Sequence, residues 1–123
     1  MAISVAGGDL QDQTTLNCLL HVIEFGMSPM EAVSCARFST RHHENSFKPD
    51  RKREISGPGQ VTLQDTVRET VVRDLSGRGQ RIGAAGGAIA APVMLLHDRK
   101  TDLFHAAGDA RAGRHVAVLQ AVE

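Results

Sequence analysis

A stop and a restart within six residues constrain this chain most. Gly26 ends a helix-periodic apolar segment, and Ser28-Pro29-Met30-Glu31 opens another. Glycine just past a helix accepts the left-handed conformation that closes the last turn. Serine caps the next helix, proline sits where its missing N–H costs nothing, and glutamate completes a capping box. Residues 10–37 therefore read as helix, tight turn, helix. In the first helix, Leu10 to Phe25, Leu16, Leu19, Leu20 and Ile23 fall on one face, with Cys18, Val22 and Phe25 as a second stripe beside it. A helix apolar around so much of its circumference is expected to be buried. The second helix is short, ending near Ala36 or Arg37.

The flanking segments complete an α+β pattern. Met1 to Ala6 is a short strand or extended entry, broken by Gly7-Gly8, after which Asp9 is a candidate N-cap. Phe38 to Gly59 is a polar loop, with a short strand expected near Arg53 to Ser56. In it, Asp50-Arg51-Lys52-Arg53 reads as a solvated run in preference to a localisation or phosphate-binding signal. Thr62-Leu63-Gln64-Asp65 opens a third helix, with Val67, Val71, Val72 and Leu75 on its apolar face and Arg68, Glu69, Arg73 and Asp74 on its wet face. Gly77 or Gly79 ends it, and Gln80 to Ile82 is a possible short strand. Ala88 to Leu96 reads as a buried strand in which Pro92 implies a bulge or an edge. His97 to Asp102 turns the chain into a returning strand, Leu103 to Ala107, giving a hairpin. His115 to Val122 leans toward strand. One domain spanning residues 1–123 is expected.

Composition excludes several functions. Lys and Arg number 14, as do Asp and Glu, so the balance is neutral and gives no reason to expect nucleic acid or an anionic membrane as partner. Four phenylalanines are the only Phe, Tyr or Trp residues, which leaves almost nothing for base stacking. No apolar run reaches membrane-spanning length, and the N-terminus lacks a signal-peptide layout.

Candidate chemistry is sparse. Six histidines include His42-His43, but neither they nor Cys18 and Cys35 have metal-ligand spacing, so no metal or other cofactor is expected. Cys18 lies mid-helix among apolar residues, the wrong setting for a thiolate nucleophile. Cys35 with His42 and His43 is a compositional Cys/His pairing only. Gly77-Arg78-Gly79 and Gly83 to Gly87 match no nucleotide-binding fingerprint. Gly7-Gly8 is the most informative spot, because unhindered N–H groups at the start of a helix suit an anion or oxyanion. A tight strand-to-helix turn explains the same residues.

The chain resembles the C-terminal part of the small subunit of gamma-glutamyltranspeptidases. The resemblance rests on Gly7-Gly8-Asp9-Leu10-Gln11-Asp12-Gln13, then Val22-Ile23-Glu24-Phe25-Gly26-Met27-Ser28-Pro29, then Glu31-Ala32-Val33 and Ala36-Arg37-Phe38. In the tail it rests on the Ala88 to Leu96 strand, the Asp98 to Asp102 turn and Ala107-Gly108-Asp109-Ala110-Arg111. It implies part of an αββα sandwich of the N-terminal nucleophile (Ntn) hydrolases. It also implies a self-cleaving precursor whose new N-terminal threonine attacks a gamma-glutamyl carbonyl, with transfer to water or an amino acid. Gly7 and Gly8 match the family's backbone oxyanion donors.

The departures matter as well. The family's threonine, the residues holding the glutamyl head and the large subunit lie outside the matched segment, and Thr14 and Thr15 fall inside a helix. Ala6 and Ala36 replace family prolines. The resemblance thus implies scaffold and oxyanion turn, without catalytic nucleophile or cofactor, inactive alone and completed by the missing subunit part. A homo-oligomeric binding module retaining the fold is the alternative. Members are often periplasmic or extracellular, but no signal here assigns a compartment.

Overall fold

The computed structural model describes residues 1–42, 46–47 and 59–117. Among the described residues, six strands and three α-helices follow in the order β1 (Ala2–Ala6), α1 (Gln11–Ile23), α2 (Pro29–Ser34), β2 (Phe38–Thr40), β3 (Gln60–Gln64), α3 (Glu69–Gly77), β4 (Arg81–Ala85), β5 (Ala91–Asp98) and β6 (Leu103–Gly108). Short 3-10 turns cover Gly8–Leu10 and Ala110–Ala112. The strands form two three-stranded sheets, β1-β5-β6 and β2-β3-β4.

In the first sheet both pairings are antiparallel, and the register aligns Ile3 with Met94 and Met94 with Ala107. Side chains alternate across a strand, so these three share one face. That face meets the helices: Met94 and Ala107 pack with Cys18, Ala32 and Val33, and Ile3, Val22 and Met27 close around them. Burial pushes the Cys18 thiol above its ordinary value, opposed by the smaller pull of the Arg37 guanidinium. Cys18 is a core residue, as its sequence setting implies.

The turn signals hold. Gly26 adopts φ +64°. Ser28 accepts from the Glu31 N–H at 3.3 Å, while the Glu31 carboxylate accepts from the Ser28 N–H and hydroxyl, both at 2.8 Å. Those bonds hold the Glu31 carboxyl below its usual value, the backbone N–H of Ser28 contributing most. The hairpin is present as β5 and β6.

Four expectations need correction. The Leu16, Leu20, Ile23 face of α1, with Phe25 beyond it, is exposed, and the inward residues are Thr14 and Cys18 with Val22 partly buried. Periodicity marks both stripes, but the described sheet and α2 cover only one. Phe38–Thr40 is a strand, not loop, because Phe38, Ser39 and Thr40 pair with Leu63, Thr62 and Val61. Thr62 to Gln64 belongs to β3, not to a helix start. β3 lies between β2 and β4, pairing parallel with β4, and α3 begins only at Glu69. Pro92 lies on a central strand without a bulge. Its carbonyl accepts from the Asp109 N–H at 3.1 Å, where the β5–β6 ladder ends. The missing N–H therefore falls at the last rung. His115 to Ala117 is irregular. The Arg53–Ser56 expectation and the rest of the 115–122 strand lie outside the described residues.

Arg37 and Asp109 form an ion pair with side chains only 0% and 3% exposed. Burying two charges is costly unless further hydrogen bonds satisfy them. Here the Arg37 Nε donates to Ile89 O at 3.0 Å and Nη1 donates to Val33 O. Asp109 Oδ1 accepts from the Arg111 N–H at 2.9 Å. Gln64 completes the junction: its Oε1 accepts from Arg37 N–H at 3.1 Å, and its own N–H donates to Arg37 O at 3.0 Å. Asp109→Asn or Arg37→Met is expected to destabilise the chain by about 3–5 kcal/mol, since each leaves a buried charge or carbonyl unmatched. Urea unfolding followed by far-UV circular dichroism measures this. A loss below about 1 kcal/mol, the range of exposed pairs, contradicts it.

Candidate functional site

β1 runs into Gly7 and Gly8, and the chain then winds directly into α1. Gly8 adopts φ +57°, a conformation that favours glycine. Both glycine carbonyls are engaged by the first turn: Gly7 O accepts from Leu10 N–H at 3.1 Å, and Gly8 O from Gln11 N–H. The turn can therefore offer a ligand N–H groups at the positive end of a helix.

Gly7 and Gly8 are adjacent but differently placed. Gly8 lines a cleft of about 490 Å³ with Asp9, Gln11, Asp12, Gln13, Ser46 and Phe47. Gly7 does not line it. A Cβ on Gly7 would lie 2.6 Å from the Ala90 Cβ, whereas one on Gly8 would lie 2.9 Å from the Phe47 ring. Ala90 itself has φ +56°, an uncommon conformation for a residue with a side chain.

Two tethers invisible to local pattern hold the cleft. The Gln13 amide brackets Thr40, donating to its carbonyl at 3.0 Å and accepting from its N–H at 2.8 Å. The Asp9 carboxylate accepts from the Ser46 N–H at 3.1 Å and from the Ser46 hydroxyl. Asp9 therefore fastens a distant segment and makes no side-chain cap, contrary to its sequence reading. Asp9 and Asp12 make the cleft wall acidic, which favours a cationic group at its mouth.

The remaining candidates do not converge. Cys35 is half-buried, His42 is exposed, and no hydrogen bond joins them among the described residues. His43 and the Asp50–Arg53 run lie outside the described residues. Thr14 is wholly buried in α1 and Thr15 follows it in the helix. The described residues hold no group of three or more His, Cys, Asp or Glu able to share a metal ion. None of their helices is long and apolar enough to cross a membrane.

Gly8→Ala is expected to cost about 1–2 kcal/mol through its positive φ. Gly7→Ala is expected to cost about 1–3 kcal/mol through overpacking against Ala90, a backbone-anchored neighbour. Ala90→Gly should rescue Gly7→Ala and leave Gly8→Ala unrescued. A double-mutant cycle of urea midpoints measures the coupling, and additivity of Gly7→Ala with Ala90→Gly contradicts the contact.

Comparison with known proteins places this turn and sheet in a family. A gamma-glutamyltranspeptidase sequence profile matches residues 1–119. No curated protein sequence matches significantly. Among solved structures, cephalosporin acylase from Bacillus halodurans aligns with a TM-score of 0.76 at 20% identity, over 98% of this chain and 20% of that one. A mutant gamma-glutamyltranspeptidase from Helicobacter pylori aligns at 0.66 and 20% identity, over 89% of this chain and 52% of the other. The Pseudomonas nitroreducens gamma-glutamyltranspeptidase, complexed with L-DON, aligns at 0.73 and 16% identity, over 97% and 54%. At these identities the structures establish the fold, part of the Ntn-hydrolase sandwich, of which this chain spans a fifth to about a half of each relative's chain. With the family profile covering nearly its whole length, the chain belongs to the gamma-glutamyltranspeptidase family.

Proposed function

We propose that this chain serves gamma-glutamyl transfer or hydrolysis as the scaffold and oxyanion turn of a larger enzyme. The attacking threonine comes from outside these 123 residues. Its hydroxyl oxygen bonds to the gamma-glutamyl carbonyl carbon while a base takes the proton, and the carbonyl oxygen becomes an oxyanion. The N–H groups of Gly7 and Gly8 donate to that oxygen. Collapse expels the amine, which takes up the proton, and water or an amino-acid amine then resolves the acyl-enzyme. No cofactor is required for these steps. The partners are a gamma-glutamyl small molecule and the remaining subunit part, with neither nucleic acid nor membrane.

The observation that carries this reading is the use of both glycine carbonyls inside the first helical turn. A donor-only turn suits a developing negative charge. Thr14 and Thr15, both inside α1, are poor candidates for an N-terminal nucleophile.

A second reading has one observation in its favour. The first sheet bears an apolar groove of about 280 Å³, lined by Ala2, Ile3, Ser4, Val93, Met94, Leu95, Ala106 and Val116. A non-catalytic module pairing through this groove would be a homo-oligomer.

A gamma-glutamyl anilide assay separates the readings. The pure chain is expected to release no aniline. In the assembled enzyme, a backbone amide-to-ester replacement that removes the Gly8 N–H should lower kcat about 10²-fold, the usual cost of a lost oxyanion donor, while KM moves far less. Turnover by the pure chain that Gly8→Pro abolishes overturns the missing nucleophile. An unchanged kcat in the correctly folded enzyme that lacks the Gly8 N–H overturns the oxyanion role.

A further inference from the structure

The outer face of α1 carries a ridge of regular spacing. Asp12, Leu16, Leu20 and Glu24 follow one another at intervals of four residues, and Ile23 lies beside the last pair. Residues four apart stack along one helix face. Glu24, the C-cap, keeps helical backbone angles, so the ridge reaches the helix end. Leu16, Leu20 and Ile23 are 57%, 42% and 64% exposed, and Asp12 and Glu24 are exposed as well. The ridge is thus an apolar stripe closed at each end by a carboxylate, about 18 Å long at 1.5 Å per residue.

Charge indicates what fits this ridge. The first 36 residues contain Asp9, Asp12, Glu24 and Glu31 but no lysine or arginine. The first basic residue, Arg37, is buried against Asp109. The chain's neutrality therefore conceals an acidic helical layer. A second copy is a poor occupant. Antiparallel stacking of two such ridges sets Asp12 against the partner's Glu24, and parallel stacking sets each carboxylate against itself. Like charges facing each other suppress pairing. The carbonyl end of α1 beside Glu24 adds further negative potential.

We propose that this ridge docks an amphipathic helix carrying an aliphatic stripe flanked by lysine or arginine at both ends, supplied by another polypeptide part. Apolar contact provides the adhesion and the flanking cations fix register and exclude self-pairing. The proposal rests on α1's outer face, which shares Asp12 with the cleft beside the glycine turn.

The test uses the 123-residue chain and two synthetic, dye-labelled helical peptides with the same leucine stripe. One has lysines spaced to meet Asp12 and Glu24, and the other has glutamates there. Fluorescence anisotropy at low salt is expected to show the lysine peptide binding at least about tenfold tighter, a gap that narrows as salt screens it. Leu20→Glu should abolish binding while far-UV circular dichroism keeps its helical signal. Asp12→Lys with Glu24→Lys should reverse the preference between peptides. Absence of binding by either peptide, equal binding of both, or binding that survives Leu20→Glu overturns the proposal. So does dimerisation, read by light scattering, that Leu20→Glu abolishes and Leu95→Lys leaves intact.

Discussion

The Arg37–Asp109 pair organises much of this structure. Hydrophobic burial is non-directional, and the helix–sheet core consists mostly of small or adaptable side chains: Cys18, Ala32, Val33, Met94 and Ala107. Such a core permits sliding of one layer over another. The buried pair does not, because each member has fixed additional partners. Arg37 reaches the end of α2 through Val33, the segment before β5 through Ile89, and the end of β6 through Asp109. Gln64 holds the Arg37 backbone and thereby joins the second sheet to the same junction. One residue, through its guanidinium and its backbone, relates both sheets and the second helix.

The consequence extends to the glycine turn. Ile89, whose carbonyl accepts from Arg37, is buried and precedes Ala90. Ala90 is held at positive φ with its Cβ against Gly7. A residue in this conformation persists only where its surroundings over-determine it. Here the surroundings are the Ile89 anchor on one side and the β5 ladder, starting at Ala91, on the other. The strain is adjacent to the turn proposed for chemistry, and the requirement for glycine at position 7 follows from that approach.

What was legible in the sequence was local. Gly26, the Ser28–Glu31 box and the 97–102 turn state their geometry in adjacent residues, and all three are present. Gly7-Gly8 was legible as a break and as a candidate donor turn. The strands β2 and β3 were not: β2 is only three residues long, and the Val61/Leu63 alternation of β3 was outweighed by the helix-start pattern Thr62-Leu63-Gln64-Asp65. Their strand character comes from lateral pairing with each other and with β4. The cleft was equally hidden. Gln13 meets Thr40 across 27 residues and Asp9 meets Ser46 across 37. Local reading makes Asp9 a cap, and only the fold shows that its carboxylate serves a different segment.

Helix α1 shows where periodicity ends as a guide. Its pattern declares two apolar stripes and does not say which of them the same chain covers. The sheet and α2 take the Cys18 stripe, leaving Leu16, Leu20 and Ile23 outward. Apolar surface maintained on both sides of one helix is the signature of a middle layer. The same helix begins at the Gly8 turn and ends at Glu24. A rigid helix transmits position along its axis, so a partner seated on the outer ridge fixes the helix whose first turn presents the N–H groups. The acidic closure of the ridge and the geometry of the glycine turn are in that sense one arrangement, joined through the thirteen residues of α1.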